Sequence, residues 1–247
     1  MSDVAVRTCE RRGEWSGRES ARDPLASVDL YWLPLGAGGH SVRLNGRIFE
    51  SVAARLARRE RCDLYHSALE VRVPEGRFVI EQAPMRPGDT ARRGVVAQGA
   101  VGTRAAGLFR LFRYEVRRWG NGVIPDVAEA VESPERLSTD PAFARRLLGL
   151  APQVPTPVWG RDELHAGEMW NSNSVISWLL TRSGLDGDCV HPPAHGRAPG
   201  WGAGVAIARR QQAQLANSVP LEASGLWRGS SSRTTSLPGR SQASSRT

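Results

Sequence analysis

Two distant stretches carry residue types that could do covalent chemistry together. Asn171-Ser172-Asn173-Ser174 opens the apolar run Val175-Ile176-Ser177-Trp178-Leu179-Leu180, and His66 lies far upstream in Leu64-Tyr65-His66-Ser67-Ala68. In a helix starting at Asn171 or Ser172, Ser172 shares a stripe with Ile176 and Leu179. Its hydroxyl then faces the packed side at the positive end of the helix dipole. The backbone N–H groups around Asn173 are the candidate oxyanion donors there. A serine hydroxyl must lose its proton during attack, and neutral imidazole is the usual acceptor. Ser172 is therefore the candidate nucleophile and His66 the candidate general base. Ser and Asn are also the ordinary helix N-cap residues, so the same four positions are equally explained as a structural cap.

A third group would normally orient the imidazole. Glu81 is the first to consider. With Val73 opposite Phe78 in a hairpin, however, Glu81 faces Glu70, four residues from His66 or roughly 13 Å at strand rise, and Met85 faces His66. Asn171, Asn173 or Glu168 is then the expected orienter. Asp162, Glu163, His165 and Glu168 cluster just before the helix, either as a solvated turn or as the wall of a cleft beside Ser172. Trp159, Trp170 and Trp178 are expected in the core or along a groove. Cys189, His191 and His195 have only loose metal spacing with no second cysteine pair, so neither zinc nor any other cofactor is expected. Gly36-Ala37-Gly38-Gly39-His40 is not a phosphate loop. No Gly-Lys-Ser/Thr follows it, and the next element is a strand.

The elements that must position these groups start with strands. Residues 41–51 form a hairpin around Asn45-Gly46, followed by a short helical pattern from Val52 to Arg61. A second hairpin puts Tyr65, Leu69, Val71 and Val73 on one face and His66, Ala68, Glu70 and Arg72 on the other, with Pro74-Glu75-Gly76-Arg77 as its turn. A further strand spans Leu111 to Trp119, with Phe112, Tyr114 and Val116 on its apolar side, and 84–106 is a long loop or extra strand. Asp126 caps a short helix through Val131, and Asp140-Pro141 starts another whose stripe is Phe143, Leu147 and Leu148. Pro152, Pro155 and Pro157 enforce an extended loop. The Ser172 helix stops before Gly184, and a last one spans Gly204 to Ala216. The fold class is α+β, an antiparallel sheet packed against the helices that follow it.

The 247 residues divide into a flexible arm (1–24), one α+β domain (25–207) and a basic, mostly disordered tail (208–247). The formal net charge is +8, carried wholly by arginine, since the chain has no lysine. The tail holds +5 of it, from six Arg and one Glu, and the arm is neutral, which leaves +3 on the domain. So mild a charge gives no sign of a phosphate-tracking domain surface, and nucleic acid is the least expected partner, through the tail alone. No stretch is long and apolar enough for a membrane span and no secretory signal opens the chain, so no membrane partner is expected. The odd, sparse set Cys9, Cys62 and Cys189 forms no disulfide framework and fits a reducing, cytoplasmic setting.

A histidine on a strand, followed much later by Asn-Cys-Asn at the start of an apolar helix, is the order found in circularly permuted papain-like peptidases of the PPPDE type. This chain resembles that pattern at Tyr65-His66-Ser67 and Asn171-Ser172-Asn173, with Ser172 standing where that family has its cysteine. The resemblance implies a thiol-hydrolase or acyltransferase ancestry acting on a peptide, ester or protein. The cysteine-to-serine departure implies either a Ser-dependent site or one that only binds, because serine has no comparable fraction of reactive anion at neutral pH. The stretch from about Trp32 to Trp201, including VPTPVWGRDELHAGEMWNSNSVISWLL, also resembles a group of uncharacterised actinobacterial proteins, which implies no activity. Three functions follow as expectations: a papain-like hydrolase or acyltransferase site, a non-catalytic binding domain on the same fold, and, as the weakest, a nucleic-acid-associated protein acting through its tail.

Overall fold

In a computed structural model of the chain, residues 24–35, 58, 60–85 and 94–218 are described. The hairpin expected at 41–51, the glycine-rich 36–40, nearly all of the helical pattern at 52–61, and the end segments 1–23 and 219–247 lie outside them. Seven strands are present among the described residues: β1 Ser27–Pro34, β2 Asp63–Val73, β3 Gly76–Pro84, β4 Val95–Ala100, β5 Arg113–Gly120, β6 Val131–Ser138 and β7 Gly196–Arg197. They share one sheet, in the order β4-β5-β3-β2-β1-β6, with every pair antiparallel except the short β7, which runs parallel to the start of β2. The described residues also form three α-helices: α1 Pro141–Leu150, α2 Ser172–Arg182 and α3 Trp201–Ser218. The α+β architecture read from the sequence is the one observed.

Alternation along the strands divides the sheet into two faces. Val28, Leu30 and Trp32 of β1, Leu69, Val71 and Val73 of β2, Ile80 of β3, and Tyr114 and Val116 of β5 join the helices in one buried core. The opposite face carries a smaller apolar cluster of Leu33, Ala68, Val79 and Ile124. Around that cluster lie ion pairs whose carboxylates Asp29, Glu70 and Glu81 are buried. Arg117, only 3 % exposed, binds Glu81 and Glu115; Arg72 and Arg77 hold Glu70; Arg136 holds Asp29.

Each helix forms where its sequence directs. Asp140 accepts the Ala142 amide at 2.8 Å and Pro141 occupies the first turn, so α1 starts there and buries Phe143, Ala144, Leu147 and Leu148. Helix α2 is buried from Ser172 through Thr181 on every side, because it lies between the sheet and the other two helices. Helix α3 approaches α2 most closely at Gly204. A Cβ there would collide with the Ser174 carbonyl oxygen and the Ser177 hydroxyl.

Several expectations are corrected. The turn of the second hairpin is Pro74-Glu75 alone, so Val71, not Val73, pairs with Phe78, and Glu70 pairs with Val79. The shift is two residues, so every side chain keeps its expected face. Glu81 is occupied by Arg117 of β5. Asp126 caps nothing: it has a left-handed backbone, φ 58°, before a single 3-10 turn at Val127–Glu129. An edge strand, β6, follows instead, and its Pro134 and charged residues hid it. The segment 84–106 contains the extra strand β4, and β5 begins at Arg113, not at Leu111. Helix α3 starts at Trp201 and runs to Ser218, past both the Ala216 end and the domain boundary at 207. Cys189 is disulfide-bonded, which departs from the reduced set expected of sparse cysteines.

Candidate functional site

Asn171 is the N-cap of α2. Its Oδ1 accepts the amides of Asn173 at 2.9 Å and Ser174 at 3.4 Å, and the Ser174 hydroxyl accepts the Asn171 amide at 3.1 Å, a reciprocal capping box. The same side chains tie the helix to the strap Pro199-Gly200-Trp201 that leads into α3. Asn171 Nδ2 and Asn173 Nδ2 both donate to the Pro199 carbonyl, at 2.8 and 2.9 Å, and the Ser174 hydroxyl donates to Gly200 at 2.7 Å. One turn on, the Ser177 hydroxyl donates to Trp201 at 2.7 Å. Glu168 completes the joint by accepting the Gly200 amide at 2.6 Å.

Asn173 also fastens the helix to the sheet. Its Nδ2 donates to the Tyr65 carbonyl at 2.9 Å and its Oδ1 accepts the Ser67 hydroxyl at 2.9 Å. This contact fixes which face of β2 the helix covers. Ser67 points at α2, and the β1–β2 ladder runs unbroken from Ser27–Arg72 to Pro34–Tyr65, so the neighbouring His66 points the other way. His66 stands opposite Leu33, on the face that carries Ala68 and Ile124. Burial there lowers its pKa to about 4, against a smaller upward pull from Asp126. The imidazole is thus a neutral group with the sheet between it and Ser172.

The sequence therefore identified the right helix start but paired it with the wrong histidine environment. Of the four expected site residues, Ser172, Asn171 and Asn173 share one helix turn, and His66 does not join them. The Asn173 amide, an expected oxyanion donor, is taken by Asn171 Oδ1. Both asparagine side chains are engaged by the cap and the strap, and that of Asn173 also by β2. Ser172 is buried, and its hydroxyl takes no part in the joint.

The acidic cluster is also structural. Asp162 accepts the amides of Ala166 and Gly167, closing a turn. Glu163 accepts the Val158 amide and pairs with Arg104, which lowers its pKa. His165 lies at φ 51°, and its carbonyl accepts from Arg210. An open cleft of about 400 Å³ does exist here, walled by Arg104, Arg161, Asp162 and Glu163, but Ser172 does not line it. Trp170 and Trp178 are core residues, and Trp159 packs edge-on against Tyr114 at 5.8 Å. Cys189 is held in its disulfide, so it offers no thiolate beside His191 and His195.

Comparison with protein-family models, curated proteins and solved structures finds no match. The site must be read from its own geometry. One feature gave little sequence signal: Leu108, Phe109, Leu111 and Phe112 are exposed on two successive 3-10 turns, where alternation had assigned Phe112 to a buried strand face. The run Leu-Phe-Arg-Leu-Phe fits neither period 2 nor a helical stripe, and that misfit was its only mark.

Proposed function

We propose that this chain is a non-catalytic binding domain on an α+β fold, with Asn171–Ser174 serving as a structural joint between α2, β2 and the strap before α3. The observation that carries this reading is the side of the sheet on which His66 lies. With the imidazole facing Leu33 and the Asn173 amide already bonded, Ser172 has neither a base nor that expected oxyanion donor. The expected relation to permuted papain-like peptidases supplies the second reading, a Ser-dependent hydrolase or acyltransferase. It is favoured by the position of Ser172 in the first turn of a buried helix. Fluorophosphonate labelling of the full chain decides between them. The binding-domain reading expects no adduct on wild type. An adduct that disappears in Ser172→Ala would overturn it and establish the hydrolase.

A further inference from the structure

The tongue from Val101 to Phe112 joins β4, at the edge of the sheet, to β5, and it holds apolar side chains in water. Leu108 is 85 % exposed, Phe109 67 %, Leu111 63 % and Phe112 45 %. Single exposed hydrophobics need no explanation, but four large ones within five residues do. Charge in this segment has one sign. From Gly94 to Tyr114 there is no Asp or Glu, while Arg104, Arg110 and Arg113 punctuate the apolar residues. Arg104 is paired with Glu163, whereas Arg110 and Arg113 meet no carboxylate among the described residues.

Much of the tongue's backbone is hydrogen-bonded within the tongue itself. The amides of Gly107, Leu108 and Phe109 bond to the carbonyls of Arg104, Ala105 and Ala106, and that of Phe112 bonds to Phe109. Val101 bonds back to the Phe112 carbonyl and closes the base. Backbone that enters the hydrocarbon must satisfy its polar groups internally, whereas at the hydrated interface water can serve the rest. Strand addition at a sheet edge would instead need free donors and acceptors. Leu-Phe pairs alternating with arginines also suit a bilayer boundary, where the apolar groups enter and the guanidinium heads reach back to phosphates.

We infer that the Leu108–Arg113 tongue docks this protein on an anionic membrane surface, with Leu108, Phe109, Leu111 and Phe112 inserted among the acyl chains and Arg110 and Arg113 at the lipid phosphates. The expectation of no membrane partner rested on the lack of a spanning segment. Among the described residues no helix is long and apolar enough to cross a membrane, and peripheral docking needs none. The tongue uses no residue of the Asn171–Ser174 joint, so the inference is independent of whether Ser172 reacts.

Flotation of the full chain with vesicles tests it, comparing phosphatidylcholine alone with a mixture containing about a third phosphatidylserine. Wild type is expected to float with the anionic vesicles. Phe109→Ser/Leu111→Ser should lose at least about tenfold in partitioning with an unchanged melting temperature, since both side chains are already in water. Arg110→Ala/Arg113→Ala should lose about fivefold per arginine at low salt. Absence of wild-type flotation would overturn the inference. So would full retention by both variants, which would assign binding to arginines elsewhere, the tail included. Sedimentation velocity covers the remaining occupant: a wild-type dimer made monomeric by Phe109→Ser/Leu111→Ser would make the tongue a self-association surface and also overturn membrane docking.

Discussion

The Ser174 hydroxyl donates to the Gly200 carbonyl at 2.7 Å and accepts the Asn171 amide, whereas the Ser172 hydroxyl takes no part in these bonds. Stability measurements on adjacent positions can therefore separate joint from active site. Ser172→Ala is expected to change unfolding free energy by less than about 1 kcal/mol, because no buried partner is left unpaired. Ser174→Ala removes a cap partner and leaves the Gly200 carbonyl only the longer bond from the Gly204 amide, at 3.4 Å, a loss of about 1–2 kcal/mol. Asn173→Ala removes three hydrogen bonds and strands the Ser67 hydroxyl, a loss of about 3 kcal/mol. Urea denaturation of the three variants checks the ranking. A Ser172→Ala loss as large as that of Asn173→Ala would show that the Ser172 hydroxyl is structural after all. At this scale the sequence was legible for types and not for directions: Asn-Ser-Asn-Ser announced a cap, but nothing local says that the cap residues reach Tyr65 and Pro199.

Among the elements, those with a strong local signal were readable. Asp140-Pro141 and Asn171-Ser172 start helices where cap chemistry places them, and the alternation in β2 assigned its faces correctly. What escaped were elements defined by their partners. Strand β6 contains a proline and a residue with positive φ, Glu132, and is a strand only because β1 offers it an edge. Alternation assigned the charged face of the sheet but could not show its burial: Arg117 is buried between Glu81 and Glu115. Arg117→Ala would leave the buried Glu81 and the half-buried Glu115 without their shared cation, so a loss of about 3–5 kcal/mol is expected. Chemical denaturation at neutral pH checks it, and a loss below about 1 kcal/mol would mean that solvent already screens the pair. The α2–α3 contact gives an opposing case. Replacing Gly204 with alanine raises helix propensity by about 1 kcal/mol, but the new methyl meets the Ser174 carbonyl across the helix pair. Backbone cannot yield as a side-chain tip does, so steric overlap costing about 1–3 kcal/mol or more prevails and Gly204→Ala lowers the melting temperature. A raised melting temperature would show that the helices can move apart freely.

For the molecule as a whole, the sheet is a partition with chemistry on both sides, and His66 lies on the side that the sequence could not assign. Alternation put it with Glu70 and Arg72, but which face the later helices would cover depends on the Ser67–Asn173 bond, made across more than a hundred residues. That placement has a global consequence. Burial lowers the imidazole pKa to about 4, while in the unfolded chain it returns to the ordinary value near 6.5. Between these values the unfolded state binds a proton that the folded state refuses. Folding stability from this group is therefore fully present above about pH 6.5 and is lost progressively as pH falls towards 4, by about 3 kcal/mol in all. The lowered pKa values of Glu75 and Glu163 act below the ordinary carboxylate range, so between about pH 6.5 and 5 the histidine contribution can be read apart from theirs. Urea midpoints of wild type should fall through that interval. His66→Leu, which keeps the group apolar beside Leu33, Ala68 and Ile124, should flatten the slope there whatever its effect at neutral pH. An unchanged slope in His66→Leu would mean that the imidazole is not held in the neutral form.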